Sequence, residues 1–420
     1  MNTLFIIIVS IIIVEFIFDK VLDYFNLKNL SLNLPEEAKG IYEEEKYRKS
    51  QEYFKVNHNF STLTSTFSLI AILLMLFFNG FAYMDSFVRR YTDNPILMTL
   101  LFFGILGFAS DILGMPFSLY KTFVIEEKFG FNKTTLKTFI LDKLKGYLLA
   151  AIIGGGLFSL LIWIYQSTGQ YFWLFAWAVI SAFTIFITMF YTTFLVPIFN
   201  KLTPLPEGEL RTAIEEYCKK VGFKLNNLFV IDGSKRSAKA NAYFSGLGAK
   251  KTIVLYDTLI EKHTKEELVA VLAHEVGHYK KKHTLIGTVQ GIIQTGVMLF
   301  ILSLFLGNPA LTNALGVGQV SNLSHNLLNT FHLDILAFGL LYSPLSEIIG
   351  IISNILSRKY EFEADAYAKE TYSGNALGTA LKKLSSDNLS NLNPHPAYVF
   401  VHYSHPPVLK RLRKLIPFDK

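Results

Sequence analysis

Two histidines four residues apart, His274 and His278, are the residues of this chain best suited to chemistry. An α-helix turns once every ~3.6 residues, so residues at this spacing lie on one face and can bind a single metal ion. Glu275 follows the first histidine, and its carboxylate can hold and deprotonate a water molecule bound to the same ion. A metal with an adjacent base indicates a hydrolase.

The flanking residues favour the helix that this geometry requires. Thr264 and Glu267 have the spacing of a capping box, which marks a helix start. A predicted buried stripe follows at Leu268, Val269, Val271, Leu272 and Val276. Three lysines, 280–282, suit a helix C-terminus near a membrane surface. We therefore expect the metal in an aqueous or interfacial cavity.

A zinc hydrolase needs a third protein ligand, and Glu361 and Asp365 are candidates because they share one helix face. One of them can bind the metal while the other accepts a hydrogen bond from a ligating imidazole. A solvated acidic face explains the same spacing equally well. Glu363, between them, points elsewhere and is expected to face solvent.

Further donors lie near the C-terminus, where His402, His405 and Arg411 offer groups for an oxyanion. The remaining histidines have no partner at ligand spacing and are interpreted as surface or structural residues: His58, His263, His283, His325, His332 and His395. The single cysteine, Cys218, excludes an intrachain disulfide and a thiolate zinc cage, and its apolar setting favours a structural thiol.

The composition predicts a membrane protein, with 51% hydrophobic residues, 17% charged residues and a mean hydropathy of +0.34. We count about seven blocks long enough to cross a ~30 Å hydrocarbon core. They lie near residues 3–18, 62–84, 95–119, 147–166, 173–197, 284–306 and 334–356. The first lacks a basic n-region and a small-residue cleavage site, so we interpret it as an uncleaved span. Acids in the third and seventh blocks, such as Asp111 and Asp334, line a water-filled interior or mark helix ends at the interface.

Lysine and arginine in the loops predict the orientation. Loops after spans one, three, five and seven are rich in them, and those after spans four and six contain none. Arg89 and Arg90, in the loop after the second span, are the only exception to this pattern. We therefore expect the N-terminus outside and the C-terminus in the cytoplasm. The net charge of +7 suits an anionic leaflet, and no basic-aromatic array indicates nucleic-acid binding.

Four regions follow from this pattern. Residues 1–197 hold five membrane helices with cytoplasmic loops, 198–283 the first part of a catalytic domain, 284–356 two more membrane helices, and 357–420 the second part. The first catalytic part reads as a small α/β unit with a helix at 209–221 and strands at 228–231 and 251–256. Between the strands, 241–246 is either a peptide-binding edge strand or an ordinary hairpin strand. The charged segment 36–55 is expected to be a surface-exposed loop or helical hairpin.

Ordered blocks along most of the chain resemble the type I CAAX prenyl proteases, which are integral-membrane zinc metalloproteases. The similar segments are 123–132, 201–210, 233–237, 241–244, 253–259, 274–278, 361–365 and 402–407. The resemblance implies an α-helical polytopic membrane protein in which about seven transmembrane helices enclose a water-filled chamber. It also implies a small α/β zinc-metalloprotease domain of gluzincin type facing the cytoplasm.

The resemblance further implies a role for each matching residue. His274, His278 and Glu361 would bind one zinc ion per chain, Glu275 would be the general base, and Asp365 would support a ligating histidine. His405 and Arg411 would lie beside the substrate carbonyl, with His405 stabilising the oxyanion. Asn241, Ala242 and Tyr243 would pair with the substrate peptide.

The expected reaction removes the C-terminal tripeptide that follows a prenylated cysteine. The expected setting is the endoplasmic reticulum membrane in a eukaryote or the inner or plasma membrane in a bacterium, with a monomeric protein and the lipid bilayer as its surroundings. Where prenylation is absent, membrane or misfolded proteins are alternative substrates. Rival interpretations are a shorter heat-shock membrane protease, which the length of the chain disfavours, and a site-two intramembrane protease, which the charges around the motif contradict. A non-enzymatic membrane chaperone or translocon-clearing partner is a further alternative.

Overall fold

The computed structural model of the protein describes residues 2–416 except 32, 35–40, 226, 247–250 and 318–329. Helices dominate the N-terminal half of this described part. They are α1 (Thr3–Lys28), α2 (Glu44–Phe77), α3 (Gly80–Val88), α4 (Pro95–Tyr120), α5 (Leu136–Leu149), α6 (Gly155–Thr168), α7 (Phe172–Phe194) and α8 (Val196–Phe199). Two π-helical stretches, Lys121–Glu126 and Ala150–Gly154, continue α4 and connect α5 to α6.

The C-terminal half combines a small sheet with further helices. Its strands are β1 (Leu202–Pro204), β2 (Asn227–Ile231), β3 (Ala242–Ser245) and β4 (Thr252–Tyr256). Its helices are α9 (Glu209–Lys220), α10 (Asp257–Lys262), α11 (Lys265–Lys280), α12 (His283–Phe305), α13 (Pro309–Ala314), α14 (Phe331–Ala368), α15 (Gly374–Asp387), α16 (Pro396–His402) and α17 (Val408–Leu415). A third π-helical stretch, Lys369–Ser373, joins α14 to α15.

The described helices have the length and apolar surface of membrane helices. Five continuous helical stretches are long and apolar enough to cross a bilayer: Glu44–Phe77, Pro95–Glu126, Leu136–Phe199, His283–Phe305 and Phe331–Asp387. No more than 17% of the most apolar window of any stretch is buried inside the protein. Leucine, isoleucine and phenylalanine side chains therefore face outward along these helices, which suits a lipid environment and would be costly in water. The protein is a multi-pass membrane protein.

The charged segment 36–55 was expected to be a surface-exposed loop or helical hairpin; in the part that the structure describes, its charged residues are mostly exposed, but the segment is not a separate element. Residues from Glu44 onward form the first turns of α2, which continues without a break into the apolar stretch ending at Phe77. Tyr47, Ser50 and Gln51 are buried. The charged residues alone suggested a separate surface element, but helical periodicity brings these three side chains to one packed face.

The sheet has the order β1-β2-β4-β3. β2 and β4 are parallel, with Phe229 opposite Val254, whereas β1 and β3 pair antiparallel with β2 and β4. The predicted helix and both predicted strands lie within one residue of their expected bounds. The segment predicted as an edge or hairpin strand forms β3, which is an edge strand of this sheet.

The largest buried core surrounds α11, which packs against the sheet, α9, α14 and α15. Ten of its sixteen residues are buried, including Leu268, Leu272 and Val276 of the predicted stripe. Gly277 allows close contact with α14, because a Cβ there would lie 3.1 Å from the Cα of Ala364. The packing of these elements against it fixes the position of the motif-bearing helix.

Helix α14 joins the membrane region to this core. It runs without interruption for 38 residues, about 57 Å at 1.5 Å per residue. The predicted seventh span and the charged helix that follows it are therefore one element, and Pro344 lies inside it. Glu361 and Asp365, near its C-terminal end, are buried.

Candidate metal centre

Helix α11 begins with the predicted capping box. The Thr264 hydroxyl accepts a hydrogen bond from the Glu267 backbone N–H at 3.3 Å, and the Glu267 carboxylate accepts one from the Thr264 N–H at 3.0 Å. Lys383 of α15 also contacts the Glu267 carboxylate, at 2.7 Å. The start of the helix is anchored both locally and by a neighbouring helix, which fixes the rotation of its histidines.

His274, His278 and Glu361 meet at one point between α11 and α14. The Nε2 atoms of the two histidines are 3.1 Å apart, and Glu361 Oε1 lies 3.2 Å from His278 Nε2. Glu361 Oε2 lies 3.5 Å from His274 Nε2. Within the described part of the chain, these residues form the one group of three or more metal-binding side chains, with their ligand atoms within 4.8 Å of one another.

Asp365 and Arg411 hold the back of this site. Asp365 Oδ1 lies 2.9 Å from His274 Nδ1, so the carboxylate accepts a hydrogen bond from Nδ1–H and leaves Nε2, which faces His278 and Glu361, as the nitrogen that a metal can bind. The Arg411 guanidinium donates two hydrogen bonds to Asp365, at 2.7 and 2.8 Å. Both residues are buried. Their contacts fix the orientation of the His274 ring and keep a proton on its Nδ1.

The electrostatics of the site favour a cation. Burial by itself would lower the pKa of His274, but the hydrogen bond to Asp365 and the nearby Glu361 carboxylate outweigh it and raise the pKa to about 9. Glu361 Oε2 is buried and has no hydrogen-bond partner, although Arg411 Nη1 lies 3.1 Å away outside hydrogen-bonding geometry. Two imidazoles and a carboxylate with a spare oxygen fit a divalent metal of the zinc type.

A cavity of about 440 Å³ opens in front of the three side chains. Nine of the ten residues predicted for the site line it: Asn241, Ala242, Tyr243, His274, Glu275, His278, Glu361, His405 and Arg411. The tenth, Asp365, lies behind His274. Glu275 therefore faces the same space as the ligand atoms, as a base acting on a water molecule there requires.

Two further walls of the cavity belong to β3 and the C-terminal segment. Residues 241–243 line one side at the sheet edge. His405 lies at the rim with its side chain 66% exposed, and its Nε2 is 3.4 Å from Glu361 Oε1. His402 instead points towards Asp19 of α1, at 3.7 Å, so the structure separates it from His405.

His283 and Glu363 were not predicted for the site, but His283 contacts the proposed ligand His278, and Glu363 contacts His283. His283 Nδ1 lies 3.1 Å from His278 Nδ1, and His283 Nε2 lies 3.0 Å from Glu363 Oε2. Glu363 is partly exposed to solvent, with 37% of its side chain accessible, but it is also hydrogen-bonded to His283. A spacing of five residues after His278 is not a metal-ligand pattern in a helix, so the sequence carried no signal for this contact.

The other histidines that the structure describes do not line the cavity. His332 contacts Asp85 at 2.7 Å, His263 contacts the Leu259 carbonyl, and His395 caps α16. His58 stacks against Phe54. His325 lies outside the described residues.

Comparison with known proteins gives matches along nearly the whole chain. The family model described as the CAAX prenyl protease N-terminal region with five membrane helices matches residues 23–201. The model of peptidase family M48 matches residues 204–417. Together they cover both the membrane helices and the metal site.

Individual relatives match over similar lengths. A CAAX prenyl protease 1 homolog of Arabidopsis thaliana is 36% identical over 98% of this chain and 97% of its own length. CAAX prenyl protease 1 of Saccharomyces cerevisiae is 33% identical over 96% of this chain and 93% of its own. The crystal structure of S. mikatae Ste24p matches with a TM-score of 0.93 at 32% identity, covering 99% of both chains.

Proposed function

This chain belongs to peptidase family M48 and is a membrane metalloendopeptidase of the CAAX prenyl protease type, and from that premise we propose that it removes the C-terminal tripeptide from prenylated proteins. The observation that carries the proposal is the cavity in which Glu275, three metal-binding side chains and an edge strand meet. A protease needs these parts together: a base, an electrophile site and a surface that holds the peptide extended.

His274, His278 and Glu361 are the proposed ligands of one zinc ion per chain. Two neutral imidazoles and one carboxylate are a common ligand set for catalytic zinc, which keeps a further position open. When bound, zinc polarises the scissile carbonyl and lowers the pKa of its water. Asp365 keeps a proton on His274 Nδ1 and so leaves Nε2 for the metal, since its carboxylate accepts a hydrogen bond from Nδ1–H.

Glu275 is the proposed general base. Its carboxylate takes the proton of the attacking water and delivers it to the amide nitrogen of the departing tripeptide. His405 at the cavity rim donates to the oxyanion that forms as the water adds to the carbonyl. Arg411 faces the same cavity and is proposed to bind the substrate carbonyl region while its Nε and Nη2 remain bonded to Asp365.

The substrate is proposed to bind as an extended strand along β3. Ala242 and Tyr243 of the edge strand, and Asn241 just before it, line the cavity, so a peptide paired with them would pass in front of Glu275. Backbone pairing tolerates different side chains, which suits an enzyme that cleaves many C-terminal sequences.

We further propose seven membrane helices that enclose a chamber, with a gluzincin-type domain formed by 198–283 and 357–420. Leu136–Phe199 spans 64 residues, enough for two crossings, with Gly169 at a positive φ of 52° marking the reversal. α1 adds a further apolar helix. The N-terminus would lie outside and the catalytic domain in the cytoplasm, in the endoplasmic reticulum of a eukaryote or the inner membrane of a bacterium. The enzyme is proposed to act as a monomer.

The test uses purified protein and a farnesylated CAAX peptide. We expect the wild type to release the tripeptide, and Glu275→Gln to lose roughly 10²–10⁴-fold in rate with an unchanged zinc content. Glu266→Gln, on the same helix but outside the cavity, is the matched control and should retain activity. Zinc binding without cleavage would reject this substrate and favour other membrane proteins. Equal rates for the wild type and Glu275→Gln would show that Glu275 is not the general base.

A further inference from the structure

His283 is buried against the back of a proposed zinc ligand. It is the first residue of α12, and its side chain is 5% exposed. Its Nδ1 lies 3.1 Å from Nδ1 of His278, on the side of that ring away from Glu361. The ring of His283 stacks on Tyr360 of α14, with centroids 4.3 Å apart and planes 15° from parallel. The imidazole therefore has a fixed position.

Three helices meet to make this contact. α11 ends at Lys280, and Lys282 adopts a left-handed conformation with φ of 61°, which reverses the chain so that α12 starts beside His278. Glu363 of α14 completes the set, with its Oε2 3.0 Å from His283 Nε2. A left-handed backbone at a residue other than glycine costs free energy, so the surrounding contacts must stabilise this turn.

The proton positions along these three residues follow from what each atom can do. An ionised carboxylate only accepts hydrogen bonds, so His283 Nε2 must carry a proton and donate it to Glu363. The Nδ1 of neutral His283 then has a lone pair and accepts. The Nδ1 of His278 must therefore be the donor, and the lone pair of neutral His278 is left on Nε2, which faces Glu361 and His274.

We infer that His283 and Glu363 are positioning residues that hold His278 in its metal-binding tautomer. This inference rests on the zinc site of the proposed function. Asp365 does the same for His274 by direct contact, whereas Glu363 acts through the imidazole of His283. The Nδ1 of each histidine ligand thus donates a hydrogen bond. For His274 the acceptor is Asp365 of α14. For His278 it is His283 of α12, which Glu363 of α14 holds in turn.

Glu363 is much more exposed to solvent than Asp365. Asp365 is 1% exposed, whereas the Glu363 side chain is 37% exposed, with Lys359 Nζ 3.8 Å from its other oxygen. Removing Glu363 therefore leaves no buried unpaired charge and should not disturb folding. It is the better residue for separating positioning from stability.

The experiment measures zinc affinity by competition with a chelating dye, and the visible spectrum of the cobalt-substituted protein. We expect His283→Leu and Glu363→Ala to weaken zinc binding about 10–100-fold and to alter the cobalt spectrum. His283→Asn should recover most of the affinity, because its side-chain oxygen can occupy the Nδ1 position and accept from His278. Lys359→Ala is the control and should stay within about twofold, because exposed ion pairs contribute little.

Three results would decide the inference. A wild-type protein that does not bind zinc would overturn the proposed function, and this inference with it. A wild type that binds one zinc ion, together with His283→Leu or Glu363→Ala variants of unchanged affinity and spectrum, would overturn the inference alone. If His283→Leu fails to fold, Glu363→Ala and His283→Asn decide the question.

Discussion

At the scale of single residues, the site is governed by which nitrogen of each histidine holds a proton. His274 is held by Asp365 on one side and Glu361 on the other, at 2.9 and 3.5 Å. Both acids raise its pKa against the effect of burial, to about 9 in the metal-free protein. A cation that binds at Nε2 must therefore replace a proton at neutral pH.

This replacement predicts how zinc affinity depends on pH. Below about pH 9 the His274 proton competes with zinc, so the apparent affinity should rise with pH, by up to about tenfold per unit, and level off above it. Asp365→Asn removes a main cause of the raised pKa, so its curve should be flatter between pH 7 and 9. Titration with a chelating dye measures both slopes. A wild-type affinity that is constant between pH 7 and 9 would contradict the account.

The metal-site residues that could be predicted from the sequence are those that a regular helical spacing brings together. His274 and His278 share a helix face, and Glu361 and Asp365 share another, so each pair could be proposed from periodicity. The contact between His283 and Glu363 joins residues 80 apart on different helices, with a left-handed turn at Lys282. No helical or strand period encodes such a contact.

At the scale of elements, the distance between α11 and α14 decides whether three ligands can meet. The two helices approach closely at Gly277, where an added Cβ would be 3.1 Å from the Ala364 Cα and 3.2 Å from the Tyr367 Cβ. The neighbouring ligands His278 and Glu361 project from the two helices. A small residue at this position therefore sets the geometry of the site.

Gly277→Ala tests this packing. The methyl group must push the helices apart, which we expect to cost about 1–3 kcal/mol and to weaken zinc binding. Gly350→Ala is the matched control in α14, because nothing lies within 4 Å of the added Cβ. Thermal unfolding in detergent and zinc content measure the two effects. Equal stability and zinc content in both variants would show that the contact does not constrain the site.

Element boundaries were predictable where hydrophobic periodicity was unambiguous. The strands around Leu228 and Val254 and the helix from Lys265 were found within a residue or so. The start of α2 was missed because its charged turns interrupt the apolar pattern without interrupting the helix. The same change in composition divided α14 into two predicted pieces, although its backbone continues for 38 residues.

At the scale of the whole molecule, hydropathy identified a membrane protein but not how its helices enclose space. Apolar windows in the sequence identify the segments that cross the membrane. A chamber depends on how the helices pack, and the orientation depends on the charges of the loops. The loop after α6, residues 169–171, has no lysine or arginine, whereas the region from Lys201 onward carries many. This asymmetry underlies the proposed orientation.

Cysteine labelling tests the orientation in a favourable background. Burial raises the pKa of the Cys218 thiol to about 12, so the wild type should not react with an impermeant maleimide. Gln170→Cys should react from outside the cell or from the lumen, and Glu207→Cys only from the cytoplasmic side, since both positions are exposed. Labelling of both positions from the same side would reject the proposed arrangement.

His274, His278 and Glu361 are proposed to bind one zinc ion. The most direct test is the zinc-edge X-ray absorption spectrum of the purified protein, recorded with its metal content. We predict one zinc ion per chain with nitrogen and oxygen ligands only, at about 2.0–2.1 Å, and loss of the metal in Glu361→Ala. A wild-type protein without zinc, or a Glu361→Ala variant with an unchanged spectrum, would contradict it.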